Sequence, residues 1–415
     1  MAENTEGMLT AYRVLDLADE KGLMCGKILG DLGADVIKIE KPGGDPARNL
    51  GPFYHNETEP EKSLFWFALN TSKRGITLAL ETADGREIFE RLVKGADFVI
   101  ETSSPGYMDS LGLGYTDLEK INPEVILVSI TPFGQTGPYR DWKTSDIVAW
   151  ALGGYLAPFG EGDRPPIQIG HHSQAYLHAG ADGAMGALAA LFARGSTGEG
   201  QHVDVSIHES VAQCAESLSG VKGVARRLRQ QGKETTTGAS PDPAHFWPCK
   251  DGYVCWSYGN ARITPCRPLI NWMAFKGMAT DFLKEFDWER PDFMDVYQQE
   301  RQRIDEPTAA FFMAHTKAEL LEEAIEHKVM LYPVSTTADM LANLQLSERE
   351  FWIELEHPEL GVKLTYPGVF ANTSNAQLRM TRRAPLIGEH NREIYQDELG
   401  ILAERLSAWE QNGVI

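Results

Sequence analysis

The stretch RVLDLADEKGLMCGKILGDLGADVIKIE, residues 13–40, decides the fold of this chain. The apolar run from Tyr12 to Leu17 predicts a short strand, the stretch from Gly22 to Gly33 predicts a helix, and Asp35 to Ile39 predicts a second strand. Strand, helix and strand in this order make one βαβ unit. The stretch therefore favours an α/β fold.

Three glycines in this stretch recur at intervals of four residues, at Gly22, Gly26 and Gly30. This spacing places them on one face of the helix, where the missing side chains let the helix approach the sheet closely. The GxGxxG fingerprint does not follow the first strand, and no GxxxxGK[ST] pattern occurs in the chain. The usual motif support for nicotinamide or nucleoside triphosphate chemistry is therefore missing.

The same alternation of strand and helix patterns continues along the first half of the chain. The further predicted elements are strands at Ile76–Leu80, Ala96–Glu101, Val125–Ile130 and His202–Ile207, and helices at Asp84–Lys94 and, rich in alanine and glycine, Ala179–Phe192. Such alternation is typical of a doubly wound, mostly parallel sheet with helices on both faces.

The length of 415 residues exceeds what one hydrophobic core usually serves, so we expect two domains. The composition turns polar from Arg226 to Asp242, which predicts a linker. We therefore assign residues 1–225 to the first part of a large domain and residues 226–325 to the linker and a smaller α+β domain. Residues 326–415 are predicted to return and complete the large domain.

Composition excludes several classes of function. No apolar stretch approaches the roughly 18–20 residues of a membrane span, and the N-terminus is acidic and polar, so we expect a cytoplasmic protein that does not contact membranes. The net charge of −20 argues against nucleic-acid binding, and an anionic ligand would need a local basic cluster. Five cysteines without CxxC spacing indicate reduced thiols and no metal site.

Several motifs in order along almost the whole chain resemble those of family III (CaiB/BaiF) CoA-transferases. They include LGDLGADVIKIEKPGGDPAR (residues 29–48), LNTSKRGITLAL (69–80), INPEVILVSITPFGQTGPYRDW (121–142), STGEGQHVDVSIHES (196–210) and RRAPLIGEHNREI (382–394). The resemblance implies a Rossmann-like large domain built from both chain ends, a small domain between them, and two interlocked subunits. It also implies that CoA or acyl-CoA is a substrate, that no cofactor is permanently bound, and that an aspartate carboxylate attacks the thioester.

The position of that aspartate is held here by Tyr176. In the family it lies four residues before the glycine that opens the small-residue helix, which is Gly180 in this chain. A phenol cannot form the mixed anhydride of this route, so we expect no nucleophilic catalysis from Tyr176. Asp182 lies at a different angle on the helix and is a poor substitute.

Other positions also depart from the family pattern, and each lacks a group that is common at that position in the family. The loop Asp19–Lys21 is one residue shorter and lacks the usual glutamine, Ser110 stands where a basic phosphate contact is common, and Ser145 replaces the racemase histidine. The sequence also contains His171, His172 and His178, whose spacing does not match a metal motif. We interpret these histidines as polar lining of the former catalytic pocket, with plain structural roles as the alternative.

The resemblance leaves a CoA-binding surface open. Candidate contacts for the nucleotide phosphates are the basic residues Lys38, Lys41, Arg48, Lys73 and Arg74, and the alternative is a solvated basic face. By the resemblance, Thr102 and Ser103 lie where the family's chain passes the pantetheine, and Lys143 and Asp146 lie near the mouth of the site.

Three hypotheses of function compete. In the first, the chain is the subunit without a nucleophile in a heteromeric CoA-transferase acting on dicarboxylic acids, and an interlocked sister subunit carries the aspartate. It is then similar to the two-subunit branch that moves CoA from succinyl-CoA to (R)-benzylsuccinate in anaerobic toluene breakdown. In the second, the chain is an active homodimer with a relocated catalytic group. In the third, it is a regulatory module that binds acyl-CoA.

Overall fold

The computed structural model describes residues 7–156, 165–166, 168, 170, 173–214, 246–258, 266–376 and 378–415. These residues form two compact units. The first contains the described residues of Met1–Gly160, Pro165–Gln230 and Arg349–Ile415, and the second contains those of Gln231–Glu348. The second unit thus extends past residue 325 to Glu348, and the domain bounds given above stay a prediction. The predicted linker, Arg226–Asp242, lies outside the described residues.

The first unit is built on a sheet of six parallel strands. They are β1 (Arg13–Asp16), β2 (Asp35–Glu40), β3 (Lys73–Thr77), β4 (Phe98–Glu101), β5 (Ile126–Thr131) and β6 (His202–Ser206), in the order β3-β2-β1-β4-β5-β6. The helices up to this point and just beyond it are α1 (Leu23–Asp31), α2 (Leu64–Leu69), α3 (Ala83–Val93), α4 (Tyr107–Ser110), α5 (Tyr115–Ile121), α6 (Asp146–Leu152), α7 (Gln174–Thr197) and α8 (Ile207–Cys214). The predicted doubly wound α/β fold is confirmed.

Two elements begin three or more residues before their predicted starts. Strand β3 begins at Lys73, three residues before the predicted Ile76, so Lys73 and Arg74 lie in the sheet and not in the loop before it. Both polar side chains are buried and neutralised inside the protein, which the local pattern does not show. Helix α7 starts at Gln174, earlier than the predicted Ala179, and its first turn includes Tyr176.

The glycine face of α1 approaches the sheet as predicted. A Cβ atom on Gly26 would lie 2.2 Å from Asp16 Oδ2, and one on Gly22 would lie 2.7 Å from Thr102 Cγ2. Contacts this short do not occur for real Cβ atoms, so only glycine leaves the helix at its present distance from β1.

The second unit contains an antiparallel sheet of three short strands, β7 (Phe246–Cys249), β8 (Gly252–Cys255) and β9 (Tyr332–Pro333). Its helices are α9 (Arg267–Phe275), α10 (Asp281–Glu285), α11 (Phe293–Met313), α12 (Lys317–Glu326), α13 (Thr337–Leu341) and α14 (Leu344–Glu348). Tryptophans dominate its core, where Trp247 Nε1 donates to the carbonyl oxygen of Trp256 at 2.9 Å. The expected smaller α+β body is therefore present.

The chain then returns to the first unit. Strands β10 (Trp352–His357) and β11 (Val362–Pro367) form an antiparallel hairpin, a π-helical turn spans Glu393–Glu398, and α15 (Ala403–Gln411) ends the chain.

The return segment also covers the open edge of β3. The Gly75 amide donates to His390 Nδ1 at 3.0 Å, and the Thr77 amide donates to Asn391 Oδ1 at 2.9 Å. The return segment thus protects an edge strand that would otherwise expose unpaired amides.

Both faces of the six-stranded sheet are covered. Successive strand residues point to opposite faces, so Val14 joins the apolar cluster formed with α1, α7 and α8, whereas Leu15 joins the cluster formed with α3 and α15. A parallel sheet needs apolar cover on both sides. Because both faces are covered, a ligand can reach the sheet only at the ends of its strands, and sites in such sheets lie outside the carboxyl ends.

Candidate active-site crevice

The sheet order identifies one crevice. Strand β1 lies between β2 and β4, so the chain changes direction between β1 and β4, and ligands of doubly wound folds bind outside the carboxyl ends of strands at such a point. The loops that follow β1 and β4 meet there. Thr102 Oγ1 donates to Asp19 Oδ1 at 2.7 Å and accepts from the Asp19 amide at 2.9 Å. This reciprocal pair holds the two loops together.

The crevice loops carry carboxylates. Burial, followed by the neighbouring Asp19 carboxylate, raises the pKa of Glu20. Burial also raises the pKa of Glu101, whose Oε2 accepts from the Ser103 amide at 2.7 Å. Lys21 forms an ion pair with Asp19, which balances one of these charges. The crevice loops are therefore acidic near Glu20 and Glu101, which disfavours a further negative charge beside these two side chains.

Tyr176 lies in the first turn of α7, beside this acidic loop, and is 8% exposed. Burial raises its pKa to about 12, and the carboxylates of Glu20, Asp146 and Asp19 act in the same direction. The phenol is therefore neutral at physiological pH. Neither its protonation state nor its surroundings suit it to attack a thioester.

Asp146 has a structural role at the start of α7. Its Oδ1 accepts from the Ala175 amide at 2.7 Å, and its Oδ2 accepts from Gln168 Nε2 at 2.5 Å. The helix's own N-cap residue, Ser173, has a left-handed backbone with φ of 56° and makes no side-chain capping bond. Asp146 therefore supplies from α6 the acceptor that the helix start lacks.

The remaining predicted residues near the mouth are placed as follows. Lys143 is exposed in the segment before α6. His178 packs in α7 with its Nδ1 3.6 Å from Cys214 Sγ and its ring 5.8 Å from that of Trp150. His171 and His172 lie outside the described residues. The proposed polar lining by histidines thus stays a prediction.

Two of the predicted phosphate contacts are lysines whose charges are held inside the fold. Lys38 is fully buried, and its Nζ donates to the carbonyl oxygen of Ala18 at 2.6 Å and lies 3.3 Å from Asp45 Oδ2. Lys73 is equally buried, and its Nζ lies 2.8 Å from Asp16 Oδ2. Both ammonium groups stabilise the loop and strand ends around the crevice rather than face solvent.

The two arginines are also engaged internally. Arg48 donates from Nε and Nη2 to the two carboxylate oxygens of Glu40 at 2.6 and 2.7 Å, a bidentate geometry. Arg74 makes a similar fork on Asp35 at 2.9 and 2.7 Å and also pairs with Glu398. These guanidinium groups act as counter-ions of buried or half-buried carboxylates.

Lys41 differs from these four cations because its side chain is 70% exposed. It lies 2.6 Å from Glu81 Oε1, and its hydrogen bond lowers the pKa of Glu81 to about 2. The Tyr107 hydroxyl donates to the same oxygen at 2.8 Å. Binding of CoA phosphates by the five basic residues stays a prediction, and the geometry favours Lys41 over the others.

Sequence reasoning missed Asp16 as a residue that shapes the crevice, and it noted Glu20 only as part of the loop Asp19–Lys21. Asp16 ends β1 and pairs with Lys73, and Glu20 faces Tyr176. The only local signal was an acidic residue at the end of an apolar run. Within the described ranges, no group of three or more histidine, cysteine, aspartate or glutamate side chains could hold a metal ion. No helix in the same ranges has the length and apolarity needed to cross a membrane.

Known proteins resemble this chain along nearly its whole length. The model of CoA-transferase family III matches residues 9–391. Subunit BbsE of succinyl-CoA:(R)-benzylsuccinate CoA-transferase from Thauera aromatica is 36% identical over 389 residues, which cover 92% of each protein. Succinyl-CoA–D-citramalate CoA-transferase from Chloroflexus aurantiacus is 33% identical over 413 residues, which cover 98% of each. A solved CaiB/BaiF family protein from Brucella suis has a TM-score of 0.78 at 29% identity and covers 95% of this chain and 100% of its own.

Proposed function

This chain belongs to CoA-transferase family III, and we propose that it is a subunit without a nucleophile in a heteromeric CoA-transferase. A related sister subunit, interlocked with this one, carries the reactive aspartate. The complex moves CoA between dicarboxylic acids, from succinyl-CoA to benzylsuccinate, in the cytoplasm. The choice of acids rests on the name of the BbsE relative, which is itself a subunit of such an enzyme.

The observation that carries this proposal is Tyr176. The family mechanism needs an aspartate carboxylate that attacks the thioester and forms a mixed anhydride with release of the CoA thiolate. The thiolate then attacks the aspartyl carbonyl of the anhydride, which gives an aspartyl thioester and frees the donor acid. A phenol with a pKa of about 12 is protonated at neutral pH, and its ester would not be an anhydride. The carboxylates of Glu20, Asp19 and Asp146 disfavour any negative charge that would develop on its oxygen.

The crevice loops suit a supporting role. The Asp19–Thr102 bonds tie the loops after β1 and β4, and Asp146 fixes the start of α7. A rigid crevice of this kind can form part of a shared dimer and hold CoA without performing chemistry. In this proposal acyl-CoA contacts the loops around Thr102 and Ser103 and the exposed Lys41, as the family resemblance implies.

The test is to produce this chain alone and together with a co-purifying sister subunit that keeps the aspartate. The complex should exchange CoA between succinyl-CoA and benzylsuccinate, and the lone chain should not. Replacing the sister's aspartate by asparagine should abolish turnover. Tyr176→Phe removes only the hydroxyl, so turnover of the complex should stay within about twofold, because a group that takes no part in the attack does not stabilise its transition state.

Three outcomes would contradict the proposal. Robust exchange by the lone chain would favour an active homodimer with a relocated catalytic group. Tight acyl-CoA binding by the lone chain, with no sister subunit and no turnover in any combination, would favour a regulatory module. A large loss of turnover on Tyr176→Phe would show that the hydroxyl takes part in the reaction.

A further inference from the structure

A cavity of about 430 Å³ lies in the first unit, beside the edge strand β3 and away from the crevice between β1 and β4. It is formed by the end of β10 and by the return segment before the π-helical turn. The lining residues used below are Arg382, Arg383, Glu389, His390 and Glu356.

The backbone of β3 fixes the hydrogen-bonding role of His390. The Gly75 amide of β3 donates to His390 Nδ1 at 3.0 Å, so Nδ1 carries no proton. A neutral imidazole with an unprotonated Nδ1 carries its proton on Nε2, which is then a donor. Burial lowers the pKa of His390, which is consistent with a neutral ring at physiological pH.

The Nε2–H group of His390 lies beside another hydrogen-bond donor. Arg382 Nη1 lies 3.1 Å from His390 Nε2, and a guanidinium has no acceptor atoms. Two N–H groups side by side cannot satisfy each other, and each needs an acceptor. The backbone holds both residues in place, because the carbonyl oxygen of Arg382 accepts from the Ser72 amide at 2.9 Å and the His390 amide donates to Gly75 O at 2.9 Å.

Among the charged side chains that line the cavity, Arg382 forms no ion pair with any of the described residues. Arg383 forms ion pairs with Glu389 at 2.8 Å and with Glu359 at 2.9 Å. Glu356 lies 3.2 Å from Lys363 Nζ. Arg382 is exposed and has His390 as its neighbour, so its guanidinium charge faces the cavity together with the imidazole N–H.

We propose that Arg382 and His390 form a binding site for a small oxyanion, the carboxylate or phosphate group of a free ion or metabolite. An oxyanion oxygen that lies beside the Nε2 and Nη1 atoms, at hydrogen-bond distance from both, accepts one hydrogen bond from each, and a second oxygen can accept from the rest of the guanidinium fork. This site is independent of the CoA crevice and of the proposed catalytic partner.

The experiment titrates the full-length wild-type chain with inorganic phosphate and with acetate at constant ionic strength and measures binding by calorimetry. Arg382→Gln removes the guanidinium, which is one of the two hydrogen-bond donors to the anion, and should lower the affinity for the anion by at least about tenfold. The matched control is Arg379→Gln, which removes the same charge three residues away on an exposed side chain and should change affinity by less than about twofold. The anion with the higher affinity shows whether the site prefers a phosphate or a carboxylate group.

A second measurement does not depend on affinity. The ¹⁵N spectrum of histidine-labelled protein should show the Nε2–H tautomer for His390 in the wild type and in Arg382→Gln, and phosphate should shift that resonance only in the wild type. An Nδ1–H tautomer would overturn the proposal. So would failure of both anions to bind the wild type, or an equal loss of affinity in Arg382→Gln and Arg379→Gln.

Discussion

Lys73→Met tests whether the basic residues of the crevice region are scaffold or ligand contacts. Lys73 Nζ makes three short contacts, to Asp16 Oδ2 at 2.8 Å, to Leu23 O at 3.0 Å and to Asn70 Oδ1 at 2.9 Å. The side chains of Lys73 and Asp16 are both fully buried. Methionine keeps the length of the side chain but removes the charge and all three donors.

The expected loss of unfolding free energy follows from the partners that Asp16 retains in Lys73→Met. Without Lys73, the buried carboxylate of Asp16 keeps only the bond from the Ala18 amide at 3.0 Å among its described partners. Removing one member of a buried ion pair typically costs about 3–5 kcal/mol of unfolding free energy. Asp16→Asn with Lys73→Met removes both charges. The loss of unfolding free energy in the double variant should therefore be about 1–3 kcal/mol smaller than the sum of the losses in the two single variants.

The assay is urea unfolding of the purified protein at fixed concentration, followed by circular dichroism. Lys120→Met is the matched control, because Lys120 is 70% exposed and pairs with Asp117 at 2.9 Å, and it should cost at most about 0.5 kcal/mol. The reasoning is refuted if Lys73→Met is as mild as the control. It is also refuted if the two single losses simply add, or if Lys73→Met weakens acyl-CoA binding while stability is unchanged.

Two further predictions concern the same unit. Gly26→Ala should destabilise the protein by about 1–3 kcal/mol, since its Cβ would lie 2.2 Å from Asp16 Oδ2, whereas Gly95→Ala, with nothing within 4 Å, should be nearly neutral in the same urea assay. Burial lowers the pKa of His357 below its usual 6.5, although Glu359 opposes the shift, so the unfolded chain binds more protons and stability falls as pH drops from about 6.5 towards the folded-state pKa. His357→Gln should flatten that part of the stability–pH curve, and the exposed His55→Asn should leave its slope unchanged; an unchanged slope in His357→Gln would contradict the assignment.

The sequence predicted the sheet well because its signals are local. Strands β1, β2, β4 and β5 lie within a few residues of their predicted positions, and the glycine face of α1 packs as its spacing indicated. The family resemblance drawn from the motifs is confirmed by the match over residues 9–391. Periodicity and short motifs depend on neighbouring residues, so a single chain is enough to read them.

The sequence does not reveal ion-pair and hydrogen-bond partners that are distant along the chain. Lys73 and Asp16 are 57 residues apart, and Arg48 bonds to the carbonyl oxygen of Pro385 across 337 residues. A lysine or arginine beside a strand therefore looked like a solvent-facing phosphate contact. In a chain with a net charge of −20, many cations are instead needed inside the fold to neutralise buried carboxylates.

The electrostatics around Tyr176 explain why one substitution and one altered loop belong together. Three carboxylates, Glu20, Asp19 and Asp146, already raise the pKa of the buried phenol. An aspartate in place of Tyr176 would add a fourth acidic group to the same buried space, and like charges in such a site force protonation of at least one of them. A protonated carboxyl is not a nucleophile. An active aspartate at this position would therefore require a less acidic loop after β1, and the acidic loop Asp19–Lys21 beside Tyr176 supports the proposal that a sister subunit performs the attack.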